Sequence, residues 1–171
     1  MLTGGGLPTH YLSELRGCSN VGKSRFVRQF ISSNQDKKIT LIDTKNTFRE
    51  DESGVEVVRC FDMGELMVVL GGIGNGDQEE IPSILIIDAI DNLLLSSLLP
   101  HSTTSSNTNN TMSSSHMISH LFMTTLQSIS SQYGVCVLIL NSNSNSSIMS
   151  CHQDLFPSPD IILGLLRSYI Y

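Results

Sequence analysis

Charge is nearly missing from the second half of this chain: past Asn92 the only Asp, Glu, Lys or Arg residues are Asp154, Asp160 and Arg167. Nine of the ten Lys and Arg residues lie between Arg16 and Arg59, and the net charge is −6. A protein that held nucleic acid alone by neutralising many phosphates would need a broad basic surface, because that affinity comes largely from Lys and Arg displacing counterions. Strong stand-alone DNA or RNA binding is therefore not expected. No run approaches the roughly 18 apolar residues of a membrane span, and no basic segment leads into an apolar N-terminal stretch. The chain reads as soluble and intracellular, with no membrane partner. The four cysteines, Cys18, Cys60, Cys136 and Cys151, include no C-x-x-C pair and read as reduced thiols. His116 and His120 stand one helical turn apart, but no carboxylate or cysteine is near in sequence, so they read as polar helix positions rather than metal ligands.

What the chain does carry is Gly17-Cys18-Ser19-Asn20-Val21-Gly22-Lys23-Ser24, which fits G-x-x-x-x-G-K-[ST] at every fixed position. Glycines let such a loop turn so that successive N–H groups point at a phosphate, and the following helix aims the positive end of its dipole at the same charge. Lys23 is then the partner of the β- and γ-phosphates, and the Ser24 hydroxyl a ligand of Mg2+. The context agrees: Tyr11 to Leu15 alternates as a half-buried strand does, and Phe26, Val27, Phe30 and Ile31 recur at helical spacing.

At 171 residues and 40% hydrophobic, the chain has material for one core, and 1–171 reads as one domain. Ile39 to Ile42 reads as a short buried strand ending in Asp43 and Thr44, and Val55 to Cys60 as an alternating one. Asp62 and Glu65 form a capping-box variant ahead of Met63, Leu66, Met67 and Leu70, an amphipathic helix expected to end at Gly71-Gly72. Ser83 to Asp88 is a continuous apolar run ending in a carboxylate, as in the central strand of a parallel sheet covered on both faces. Asp88 is accordingly the second metal candidate, holding a water of the Mg2+ shell. Residues 101–115 are Ser, Thr and Asn and are expected to be disordered. Helical spacing resumes at Ile118, Leu121, Phe122, Ile129 and Tyr133 and stops at Gly134; Val135 to Leu140 is a buried strand with Asn141 at its end. A polar loop over 142–150 and an apolar segment over 161–171 close the chain. Alternating strands and helices imply an α/β three-layer domain with a mostly parallel sheet.

With these residues in view, the chain resembles the RecA family of recombinases over nearly its whole length. Gly5-Gly6-Leu7-Pro8, Glu14 and the glycine-rich loop resemble the family's G-G-L-P…E…G-x-x-x-x-G-K entry. Leu41-Ile42-Asp43-Thr44-Lys45-Asn46-Thr47-Phe48-Arg49 resembles Y-I-D-T-E-G-T-F-R of eukaryotic members. Val57 to Asp62, Ile86-Ile87-Asp88, Tyr133-Gly134-Val135 and Phe156-Pro157-Ser158 are most similar to eukaryotic paralogues of the D type.

The resemblance implies a RecA-like P-loop NTPase core that binds ATP and Mg2+. It implies work in homologous recombination and DNA repair in the nucleus, in a complex with other recombinase paralogues, on single-stranded or branched DNA. Five departures qualify it. Lys45 occupies the position of the glutamate that activates water, and a protonated lysine is no base. Ala89 replaces the usual Ser, and Leu140-Asn141-Ser142 stands for the T-N-Q sensor. The two DNA loops would fall near 101–115 and 142–155, neither with a Lys or Arg. The family's N-terminal helical domain and polymerisation linker have no counterpart, as in a short isoform or fragment. Lys45 and Asn141 are the candidates to face the γ-phosphate, and no residue is assigned as catalytic. The expected function is an ATP-binding assembly subunit with slow or absent hydrolysis. An active DNA-stimulated ATPase, and a degenerate P-loop interaction module or small-molecule kinase, are the alternatives; N-K-x-D, the guanine motif of GTPases, is missing.

Overall fold

A computed structural model describes residues 7, 9–17, 21–48, 54–75, 81–91, 93 and 108–142, with side chains excepted at 108–116. Five strands, β1 (Leu12–Arg16), β2 (Ile39–Asp43), β3 (Val55–Arg59), β4 (Ile84–Asp88) and β5 (Cys136–Asn141), form one sheet in the order β1-β5-β4-β2-β3. Every pairing is parallel. Parallel strands need long crossovers, and helices supply them: α1 (Lys23–Ser32), α2 (Met63–Asn75) and α3 (Thr108–Tyr133). The fold is α/β, as expected.

The strand order decides which face each helix covers. From β1 the chain crosses to β2 and β3, then returns through β4 to β5, which lies beside β1. Right-handed crossovers running in opposite directions put their helices on opposite faces. Alternation within β4 records both coverings. Ile84 and Ile86 join Leu41, Leu138 and Leu140 against Val27 and Ile31 of α1. Leu85 and Ile87 join Ile42, Val137 and Ile139 against Leu66 and Leu70 of α2 and Phe122 and Leu126 of α3. β2, β4 and β5 are buried at every residue, whereas β3, on the sheet edge, is half-buried and alternating. Each fully buried aliphatic side chain contributes about 1.5–3 kcal/mol, so these two layers of packing hold the sheet.

Three expectations need correction. β1 is not half-buried: Leu12 to Leu15 are all buried, because helices cover both faces. α2 runs through Gly71 and Gly72 to Asn75. Packing of Leu70 and Ile73 on the α3 side and a 2.6 Å hydrogen bond from the Tyr133 hydroxyl to the Gly74 carbonyl outweigh glycine's cost of about 1 kcal/mol per helical position. α3 starts at Thr108, so 108–115 is helical backbone rather than disordered chain. The remainder of that stretch, 101–107, and the readings for 143–150 and 161–171 lie outside the described residues.

The capping reading holds in modified form. Asp62 accepts the Glu65 N–H at 2.8 Å, and Glu65 reaches back to the N–H of Phe61 at 2.7 Å. α3 ends where expected, with Gly134 at φ +70°. Burial pushes the Cys136 thiol up to about 11 and raises that of Cys60, so both are neutral, unreactive thiols at physiological pH.

Candidate functional site

Parallel strands bring all their carboxyl ends to one rim, and a sheet whose connections reverse direction leaves a crevice there. The strand order sets β5 between β1 and β4, so the loop after β1 faces the end of β4 from about 10 Å, two strand spacings. The Gly17 N–H donates to the Asn141 carbonyl at 3.3 Å, which ties the start of the loop to the end of β5.

Of the loop, its two ends, Gly17 and 21–24, are described. A Cβ on Gly17 would stand 2.8 Å from Cγ2 of Val21, so a larger residue there would force the Val21 side chain to move. Gly22 caps α1 at φ +96°, a left-handed conformation, with nothing within 4 Å of an added Cβ. Gly22→Ala therefore meets no clash, and its cost is conformational, about 1 kcal/mol. Chemical denaturation should read a loss of that size. Lys23 opens α1, where the first-turn N–H groups lack helical acceptors, and no acidic side chain occupies that turn. The Lys23 side chain is buried and its ammonium donates to the Gly17 carbonyl at 2.6 Å, closing the loop on itself. Ser24 follows on the same turn, partly buried. Cys18, Ser19 and Asn20 lie outside the described residues.

Across the crevice, Asp88 ends β4 in register with Asp43 at the end of β2. The two carboxylates have different work. Asp43 accepts three backbone N–H groups, from Lys45 at 3.0 Å, Thr47 at 2.7 Å and Phe48 at 2.8 Å, and so folds the chain after β2 into a tight turn. Asn46 sits within that turn at φ +56°, and Phe48 anchors it, buried, with the Arg28 guanidinium 5.2 Å from its ring centroid. The Thr44 hydroxyl, 2.8 Å from the Asp88 carbonyl and 3.1 Å from that of Ala89, clamps β2 to β4. Ala89 is held there at φ +59°, a left-handed conformation that L-residues other than Asn and Asp seldom take.

Asp88 itself is buried, and its Oδ2 accepts from the Thr47 hydroxyl at 3.3 Å. Burial pushes its pKa up, and Asp43 adds to that, while Lys45, the Thr47 hydrogen bond and Lys23 pull the other way without cancelling it. Lys23 and Lys45 thus act electrostatically on the same carboxylate. The rim brings together Lys23, Lys45 and Asp88, three of the residues the sequence singled out.

Lys45 is exposed and donates to the Ser142 hydroxyl at 3.0 Å. Asn141 is placed differently. It is buried, and its amide donates to Oε1 of Glu14 at 2.9 Å, while Arg16 approaches Oε2 of the same carboxylate at 3.5 Å. It shapes the loop through its carbonyl and its hold on Glu14, and Lys45 is the one of the pair that stands on the open rim.

Among the described residues no group of three or more His, Cys, Asp or Glu side chains is placed to hold a metal ion. Mg2+ does not require one, since it commonly takes one or two protein oxygens, phosphate oxygens and water. A carboxylate on Asp88 and a hydroxyl on the first turn of α1 are oxygens that fit that need.

Asp43, Thr44 and Thr47 stand out in the sequence only as a strand end and as part of the resemblance to Y-I-D-T-E-G-T-F-R; their roles in the turn and in the clamp on β4 come from the structure. No helix of the described residues is long and apolar enough to cross a membrane. Compared with known proteins, the chain matches no family model and no curated protein.

Proposed function

We propose that this chain is an ATP-binding member of the RecA-like recombinase group, a P-loop NTPase core that serves as an assembly subunit in homologous-recombination repair. Its partners on this reading are other recombinase paralogues in the nucleus, with single-stranded or branched DNA held weakly by the chain alone. The observation that carries the nucleotide part is the convergence at one rim of the glycine loop, Lys23 and Asp88. The loop from Gly17 to Ser24 cradles the phosphates, and Lys23 exchanges the Gly17 carbonyl for phosphate oxygen. Ser24 and Asp88 hold Mg2+ when it accompanies the nucleotide, and the ion supplies neutralisation of phosphate charge.

Hydrolysis is slow or absent on this reading because the position beside Asp88 that could prime water carries an ammonium, Lys45, and Asp43 is occupied by three backbone N–H groups. Titration with ATP and with GTP tests the binding, and phosphate release with and without single-stranded DNA tests the chemistry. The expected outcome is ATP binding with turnover at background under both conditions. Failure to bind ATP would remove the nucleotide function, and DNA-stimulated turnover that Lys23→Ala abolishes would make the chain an active ATPase instead.

A further inference from the structure

Lys45 has a placement that its role in hydrolysis does not use. Its backbone is braced by Asp43 at the end of β2, and its ammonium is bonded to Ser142, directly after β5. In the sheet, β4 runs between β2 and β5, so the side chain spans the end of β4, where Asp88 stands. Ser142 is fixed in turn, its N–H donating to Oδ1 of Asp91 at 3.2 Å. The ammonium is thus held over the end of β4, near enough for its charge, like that of Lys23, to act on Asp88.

We propose that Lys45 serves as a built-in counterion at the phosphate site, so that the chain binds its nucleotide as the metal-free anion about as well as it binds the Mg2+ complex. This rests on the nucleotide reading above and names the form of ligand the site takes. The physical reason is charge balance. A carboxylate facing a polyphosphate repels it unless a cation offsets its charge, and here the Lys45 ammonium already acts on that carboxylate. Mg2+ entering beside Asp88 must accept the repulsion of the like charge on Lys45, which cancels much of what the ion adds. Lys45 loses little in turning to phosphate, since its bond to Ser142 is a single exposed one and the turn beneath it is held by Asp43.

The experiment measures the dissociation constant of a fluorescent ATP analogue for the whole chain in excess Mg2+ and in excess chelator, for the wild type, Lys45→Ala and Lys45→Arg. The wild type should differ by less than about threefold between the two conditions, and Lys45→Arg likewise, because the cation is kept. Lys45→Ala should bind the metal-free nucleotide at least about tenfold more weakly while keeping most of its affinity for the Mg2+ complex. Strong metal dependence in the wild type, unchanged by Lys45→Ala, would overturn the inference and leave the nucleotide site standing. Metal independence that survives Lys45→Ala would overturn it as well, since another group would then be the counterion. An absence of binding in both conditions would sink the nucleotide reading and this inference with it.

Discussion

Replacing Lys23 with alanine is expected to weaken ATP binding by about a hundredfold or more and to change the stability of the fold by no more than about 1 kcal/mol. The asymmetry follows from where the ammonium stands. In the ligand-free chain it makes a short bond to the Gly17 carbonyl, and it is buried, so deleting it removes favourable polar contact together with the desolvation cost of a charge, two effects of opposite sign. Bound phosphate changes the balance, because a hydrogen bond between two charged partners in a water-poor cradle has no substitute once the donor is gone. Isothermal titration reads the affinity and thermal melting the stability. Arg25→Ala, on the exposed side of the same helix turn, is the control for general charge loss and should leave binding within about threefold. Equal effects of the two substitutions would mean that α1 attracts nucleotide only through its field and that the loop is not the cradle.

The parts of the fold that could be read from sequence are those where one cause acts alone. β2, β4 and β5 are continuous apolar runs because helices cover both faces of the sheet, and a run of that kind bounded by polar residues has few other readings. β1 misled because Ser13 and Glu14 look solvent-facing. Glu14 is sealed by Asn141, a partner 127 residues away, and no local pattern announces such a pair. Gly71 and Gly72 misled for a related reason, since propensity predicts a stop and only contact with α3 outweighs it. The site divides in the same way. The glycine loop is local and its spacing is legible. The clamp of Thr44 on the carbonyls of Asp88 and Ala89, and the bond from Thr47 to Asp88, depend on β2 and β4 lying in register across more than forty residues of chain. Their residues are ordinary until the pairing exists.

Asp88→Asn is expected to move stability and metal-assisted binding in opposite directions. Burial holds the pKa of this carboxyl above its ordinary value, and the neighbouring cations do not restore it. Below the unfolded-state pKa the group is neutral in both states and the fold bears no cost. As pH rises through the raised folded-state pKa, the folded chain must bury a charge that the unfolded chain keeps in water, so this contribution to stability is lost. At neutral pH asparagine removes that cost while its amide oxygen still accepts from the Thr47 hydroxyl. The ligand-free variant should be more stable by about 1–2 kcal/mol, or a few degrees in Tm at about 2–4 °C per kcal/mol for a chain of this size, with the gain shrinking to nothing in acid. Differential scanning calorimetry from pH 4 to pH 8 measures it. In the same variant any tightening of ATP binding by Mg2+ should vanish while metal-free binding holds or improves, because the carboxylate acts on nucleotide only through a cation. Stability lost at neutral pH, with both forms of nucleotide bound more weakly, would show instead that Asp88 is a structural anchor of the β2–β4 clamp and holds no metal.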